Sequence, residues 1–138
     1  MSQLLHQATA VAIGERAVLI EGEPGSGKSS LALALIDRGA KLIGDDGVTL
    51  SVRDRCLWAA PPPNTAGFLE VRNLGIVPMS CTEARVSLVL RLDPAAPRHV
   101  DKAGTAEFLG MAVPLLRLWP GSPVLHLRAE MALQRYGT

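Results

Sequence analysis

The chain has 138 residues, 48% hydrophobic and 20% charged, and 14 Lys+Arg against 13 Asp+Glu leave a net charge of +1. That length is one domain's worth of chain, and the apolar content excludes intrinsic disorder. The charge balance and the scattered aromatics (Trp58, Phe68, Phe108, Trp119, Tyr136) argue against a nucleic-acid binder, which needs a basic excess or a stacking platform.

No apolar run approaches the length of a membrane helix, and the N-terminus carries no basic residue ahead of its apolar stretch, so it does not read as a signal peptide. A cytoplasmic protein is expected, with Cys56 and Cys81 as reduced and mostly buried thiols. Thr9–Ile13 and Ala17–Glu21 are β-prone runs around a tight turn at Gly14-Glu15-Arg16. A glycine-rich turn, Gly22–Gly27, leads into a helix from about Lys28 to Arg38. Its Leu31–Ile36 stretch is apolar all round, which predicts burial on several faces. Gly39 supplies the left-handed stop. Lys41–Gly44 reads as a short strand ending in Asp45-Asp46.

Thr49–Val52 and Cys56–Ala59 form a second hairpin turning on Arg53-Asp54-Arg55. Pro61-Pro62-Pro63 interrupts the pattern because proline cannot donate to a ladder. Phe68–Val71, Leu74–Val77 and Val86–Leu92 are strand-like, and Asp93–Pro97 is a loop. Arg98–Gly110 carries no clear period. Leu115–Leu118 reads as a last strand, and Val124–Tyr136 as a closing helix stopped by Gly137. The sum is an α/β domain, 1–138, with a mixed sheet and more strands than helices.

Residues 22–29 read GEPGSGKS, a full match to G-x-x-x-x-G-K-[ST] with a strand before it and a helix after. Gly25 and Gly27 let backbone amides turn inward around phosphate oxygens, and the helix beginning at Lys28 aims its positive end at them. Lys28 is expected to reach the β- and γ-phosphates and Ser29 to bind Mg²⁺. The whole loop, Gly22, Glu23, Pro24, Gly25, Ser26, Gly27, Lys28, Ser29 and Ser30, is the expected ATP-binding element.

Phosphoryl transfer also needs carboxylates for metal and nucleophile. Asp45 and Asp46 begin seventeen residues after Lys28. Eleven helical residues carry the chain roughly 16 Å from the phosphates, and a strand of about five residues returns a similar distance. A right-handed crossover then predicts this strand beside the first one, with its carboxyl end at the phosphate loop.

Three segments together resemble the catalytic domain of the HPr kinase/phosphorylase family: GEPGSGKSSLALALIDRGAKLIGDD (22–46), GFLEVRNLGI (67–76), and His6 ahead of the loop. The resemblance implies a nucleotide core like that of phosphoenolpyruvate carboxykinase and Mg·ATP-dependent transfer to a serine of HPr or a related phosphocarrier protein. It also implies possible reversal with inorganic phosphate and a hexameric assembly. Members often carry an N-terminal domain for which this chain has no room, so a stand-alone catalytic domain is expected.

By the same resemblance Asp45 is the base that takes the serine proton, and Asp46 and Glu70 help Ser29 hold Mg²⁺. His6 sits near Asp45 or the phosphate to tune it, and Arg72 shares a strand face with Glu70 and pairs with it or with phosphate. Two positions depart from the family pattern. Asn73 replaces a glycine, and Pro120-Gly121-Ser122-Pro123 replaces Pro-Gly-Arg-Asn, leaving Arg117 or Arg128 as the candidate substitutes for the missing arginine. An ATP-binding regulatory module without transfer activity and a small-molecule kinase on the same core are the alternative readings.

Overall fold

Strand-forming runs dominate the chain, and a computed structural model, which describes residues 2–138, assembles them around two helices. In chain order the elements are β1 (Gln3–His6), β2 (Thr9–Ile13), β3 (Arg16–Gly22), α1 (Lys28–Asp37), β4 (Lys41–Gly44), β5 (Val48–Arg53) and β6 (Cys56–Ala60). There follow β7 (Phe68–Val71), β8 (Gly75–Pro78), β9 (Ala84–Leu92), β10 (Gly104–Phe108), β11 (Met111–Leu118) and α2 (Leu125–Tyr136). A nine-stranded mixed sheet runs β1-β5-β6-β9-β3-β2-β4, with β11 joined in parallel to β9 and β10 joined to β11. The β7–β8 hairpin stands apart as a two-stranded sheet.

At the centre β3 and β9 run parallel. Both are covered on two faces, which is why AVLI and VSLVL read as almost unbroken apolar runs. Alternate side chains enter two cores. Val18, Ile20, Leu88 and Leu90 pack with Leu31 and Leu35 of α1 and Leu133 of α2. Leu19 and Val89 face Val48, Leu50, Leu57 and Val113 where the sheet curls over its other face. Full burial of a leucine side chain stabilises by roughly 1.5–3 kcal/mol, so these alternating strands fix the register of the site above them.

Several expectations change in detail. The helix α1 buries only Leu31, Ala32 and Leu35, and Leu33 is exposed, because the main sheet, the β7–β8 hairpin and α2 pack against it and leave its outer face to solvent. The strand β4 does not lie beside β3: β2 occupies that place and pairs antiparallel with both. Both β3 and β4 still end at the same edge, so the carboxyl end of β4 reaches the phosphate loop from one strand further out. The edge strands β1 and β10 were not legible from the sequence, and β11 starts at Met111 rather than Leu115. Cys56 and Cys81 are free thiols, but Cys81 is exposed. Among the described residues no helix is long and apolar enough to cross a membrane.

Asn73 occupies a left-handed conformation, with φ of +74°, in the turn between β7 and β8. Asparagine tolerates that region, whereas a β-branched residue there loses about 1–2 kcal/mol. Asn73→Gly should leave the urea midpoint near wild type, and Asn73→Val should lower stability by about that amount. Equal stability of the two variants would show that the turn relaxes out of the left-handed region.

Candidate active site

The glycine loop joins β3 to α1, and its conformation follows from the residues it lacks side chains at. Gly25 and Gly27 have φ of +80° and +102°, with open space where a Cβ would stand, so the loop keeps a cradle that side chains would fill. Gly22 has no such room: a Cβ there would lie 2.5 Å from Ser26 Oγ. Ser26 Oγ is itself buried with no hydrogen-bond partner, an unmet polar atom inside the cradle. The first amides of α1 lack intrahelical acceptors and carry the positive end of the helix dipole. Lys28 Nζ donates one hydrogen bond to the Gly22 carbonyl at 2.8 Å, leaving two donors for an anion.

The Asp45 carboxylate reaches across the start of β2 to the phosphate loop. Its Oδ1 accepts from Ser29 Oγ at 2.7 Å and from Thr9 Oγ1 at 3.1 Å, and its Oδ2 accepts from the Glu70 amide at 2.9 Å. Thr9 is fully buried, and its hydroxyl also accepts from the Asp46 amide at 3.5 Å. One carboxylate thus ties the phosphate loop, the end of β4 and the β7–β8 hairpin together. Asp46 comes next on a turn with φ of +60°, exposed and without a side-chain partner among the described residues.

Two cavities meet at that turn. One, about 670 Å³, is lined by the phosphate loop, Lys28, Ser29, Glu70, Arg72 and Asp46. The other, about 730 Å³, is walled by Leu5, Pro62, Phe68 and Ile76 and floored by Asp45 and Asp46. Gln7, Asp46 and Glu70 line both. The polar chamber suits a triphosphate, and the apolar one suits part of a larger molecule bringing a nucleophile to the junction.

The hairpin delivers Glu70 and Arg72 to this junction because Leu69 is buried in the core under α1. Arg72 lies beyond the end of β7, in the turn, so it does not share a strand face with Glu70. It lines the phosphate-loop cavity, whereas neither Arg117 nor Arg128 lines either chamber. Arg117 pairs with Asp93 at 3.5 Å, and Ser122 Oγ accepts from the Val124 amide ahead of α2. Among the described residues no group of three or more His, Cys, Asp or Glu side chains is assembled to hold a metal by itself. The hard oxygens of Ser29 and Asp45 are the donor type that Mg²⁺ prefers, and with so few protein donors such an ion would need further oxygen ligands from outside the protein.

His6 lines the apolar cavity with Asp45 and Asp46, but its direct partner is Glu21. His6 Nε2 and Glu21 Oε2 are 2.7 Å apart, and Arg91 donates to Glu21 Oε1 at 2.8 Å. Sequence reading missed Thr9, Glu21 and Arg91. A threonine opening one apolar strand run and a glutamate closing another were the available signals.

Burial pushes the Glu21 carboxyl up, but hydrogen bonds from His6 and Arg91, with their charges, outweigh it and hold Glu21 below the usual carboxylate range. A carboxylate with a lowered folded pKa contributes stability that is present above its unfolded value, about 4.3, and lost as pH falls through the folded one. Wild type should therefore exceed Glu21→Gln in stability at neutral pH, with the gap closing in acid. A gap independent of pH in denaturant titrations would contradict the ionic origin.

Comparison with known proteins gives a consistent neighbourhood. Residues 2–115 match the HPr Serine kinase C-terminal domain. The chain is 35% identical over 136 residues to the HPr kinase/phosphorylase of Clostridium novyi, covering 87% of this chain and 44% of that protein. It is 31% identical over 132 residues to that of Chloroherpeton thalassium, covering 84% and 39%. The chain thus spans less than half the length of these curated relatives. Among solved structures, the Hpr(Ser) kinase/phosphatase from Coxiella burnetii superposes with a TM-score of 0.82 at 29% identity, covering 95% of this chain and 88% of that one.

Proposed function

The chain belongs to the HPr serine kinase C-terminal domain family, and we propose that it transfers the γ-phosphate of Mg·ATP to a serine of HPr or a related phosphocarrier protein. The observation that carries this reading is the position of Asp46, an exposed carboxylate shared by the phosphate-loop cavity and the apolar cavity. In the reaction the serine oxygen bonds to the γ-phosphorus, the bond to the β,γ-bridging oxygen breaks, and the serine proton passes to a carboxylate.

The hydrogen bonds favour dividing the two aspartates in the reverse of the order implied by resemblance. Asp45 is occupied by Ser29, Thr9 and the Glu70 amide, which suits the metal side of the site. Asp46 has no competing side-chain partner among the described residues and suits the base. Ser29 and Asp45, with Glu70 close by, would hold Mg²⁺, which neutralises charge on the transferring phosphate. Lys28 and the loop amides grip the phosphates and set the line of attack. Leu5, Phe68 and Ile76 form the surface on which a phosphocarrier segment lies while its serine enters the junction.

Reversal with inorganic phosphate would rely on Arg72, which lines the phosphate-loop chamber. A phosphocarrier substrate would make the domain a cytoplasmic one, and the resemblance extends the proposal to a hexamer.

Purified protein with γ-labelled ATP, Mg²⁺ and HPr tests the reading. Label on an HPr serine is the expected result. Normal nucleotide binding with no transfer to protein or metabolite would favour the regulatory module, and label on a metabolite alone the small-molecule kinase.

A further inference from the structure

Glu21 is a mostly buried acid to which the transfer reading above assigns no role, with its side chain 14% exposed. It ends the AVLI run of β3, immediately before the phosphate loop, and faces His6 from the end of β1. Arg91, on the neighbouring β9, holds its other oxygen, with Nε at 3.3 Å and a terminal nitrogen at 2.8 Å. Phe108, from the turn end of β10, meets the imidazole edge-on, with ring centroids 4.8 Å apart at 63°. Residues of β3 and β10 therefore meet the His6 imidazole directly, and Arg91 of β9 acts on it through Glu21.

An ionised carboxylate only accepts hydrogen bonds, so the shared hydrogen belongs to His6 Nε2. Among the described residues, Nδ1 has no protein partner, and His6 lines the cavity that contains Asp45 and Asp46. A carboxylate that fixes the tautomer and orientation of a working histidine from behind is a recurrent device, because an unrestrained ring divides its time between orientations.

We propose that Glu21, braced by Arg91, is a positioning residue that anchors the His6 imidazole through Nε2–H and presents its Nδ1 side to the junction where Asp46 works. The kinetic part of this inference rests on the transfer reading above. The anchoring part does not.

Two readouts test it on the intact chain. In ¹⁵N-histidine-labelled protein, the His6 Nε2–H proton should be visible and protected from exchange at neutral pH. Glu21→Gln, whose amide oxygen still accepts, should retain that signal, and Glu21→Ala should lose it. With HPr as substrate, Glu21→Ala should lower kcat about tenfold with the KM for Mg·ATP unchanged, and Glu21→Gln should recover most of the loss. An Arg91→Ala variant, which removes the brace at an exposed position, should weaken the signal partially and serves if Glu21→Ala does not fold.

A wild-type protein with no protected Nε2–H signal, or a Glu21→Ala variant with wild-type kcat, overturns the proposal. A parallel fall of kcat in Glu21→Gln and Glu21→Ala without any change in the His6 signal does the same. If wild type phosphorylates nothing, the transfer reading fails and the His6 signal alone decides the anchoring.

Discussion

Asp46→Asn should lower kcat for phosphorylation of HPr by about 10²- to 10⁴-fold, the range for removing a positioned general base. Asparagine has the same shape as aspartate and tolerates the left-handed backbone found at this turn, with φ of +60°. The side chain has no partner to lose among the described residues, so the fold should stay intact and Mg·ATP should bind as before. Single-turnover labelling with a parallel nucleotide-binding titration separates the two quantities. Undiminished transfer would move the base role elsewhere, with Asp45 the next candidate.

Asp45→Ala should act differently, on stability and on metal together. It removes the shared acceptor of Ser29, Thr9 and the Glu70 amide. The Thr9 hydroxyl is fully buried and loses its acceptor, a loss of about 1–3 kcal/mol for such a group. The β7–β8 hairpin also loses its tie to the end of β4, so its amides should exchange faster while those of β3 and β9 do not. Mg²⁺-dependent nucleotide affinity should fall about 10- to 100-fold, the usual effect of disturbing a metal's supporting shell. Calorimetric melting and a Mg²⁺ titration at fixed nucleotide measure both. Unchanged metal dependence would place the ion away from Asp45.

The local rules of the chain carried much of this site into view. The loop at 22–29 was legible because only glycine meets its backbone demands, and Lys28 and Ser29 follow from the chemistry of phosphate. The position of Asp45 and Asp46 followed from helix and strand lengths. The same arithmetic misplaced β4, because rise per residue gives the distance travelled and not the number of strands crossed. Nothing local marks β2 as the strand inserted between β3 and β4.

Edge strands were hard to read for a related reason. Residues 3–6 and 104–108 each bond to one neighbour and bury little, so their side chains carry weak alternation. The Glu21–Arg91 contact spans 70 residues and Thr9–Asp45 spans 36, separations at which pairing is set by the sheet and leaves no trace in spacing. Arg72 looked like a strand residue because Glu-x-Arg has the right period, but the hairpin turns at Arg72-Asn73-Leu74 before the alternation can act.

The most direct measurement is a structure of the chain with Mg²⁺ and a non-hydrolysable ATP analogue. The metal should lie between Ser29 and Asp45, and the terminal phosphate should face the Asp46 carboxylate across the mouth of the apolar cavity. A triphosphate seated outside the 22–30 loop, or a terminal phosphate separated from Asp46 by more than one bridging water, would contradict the account.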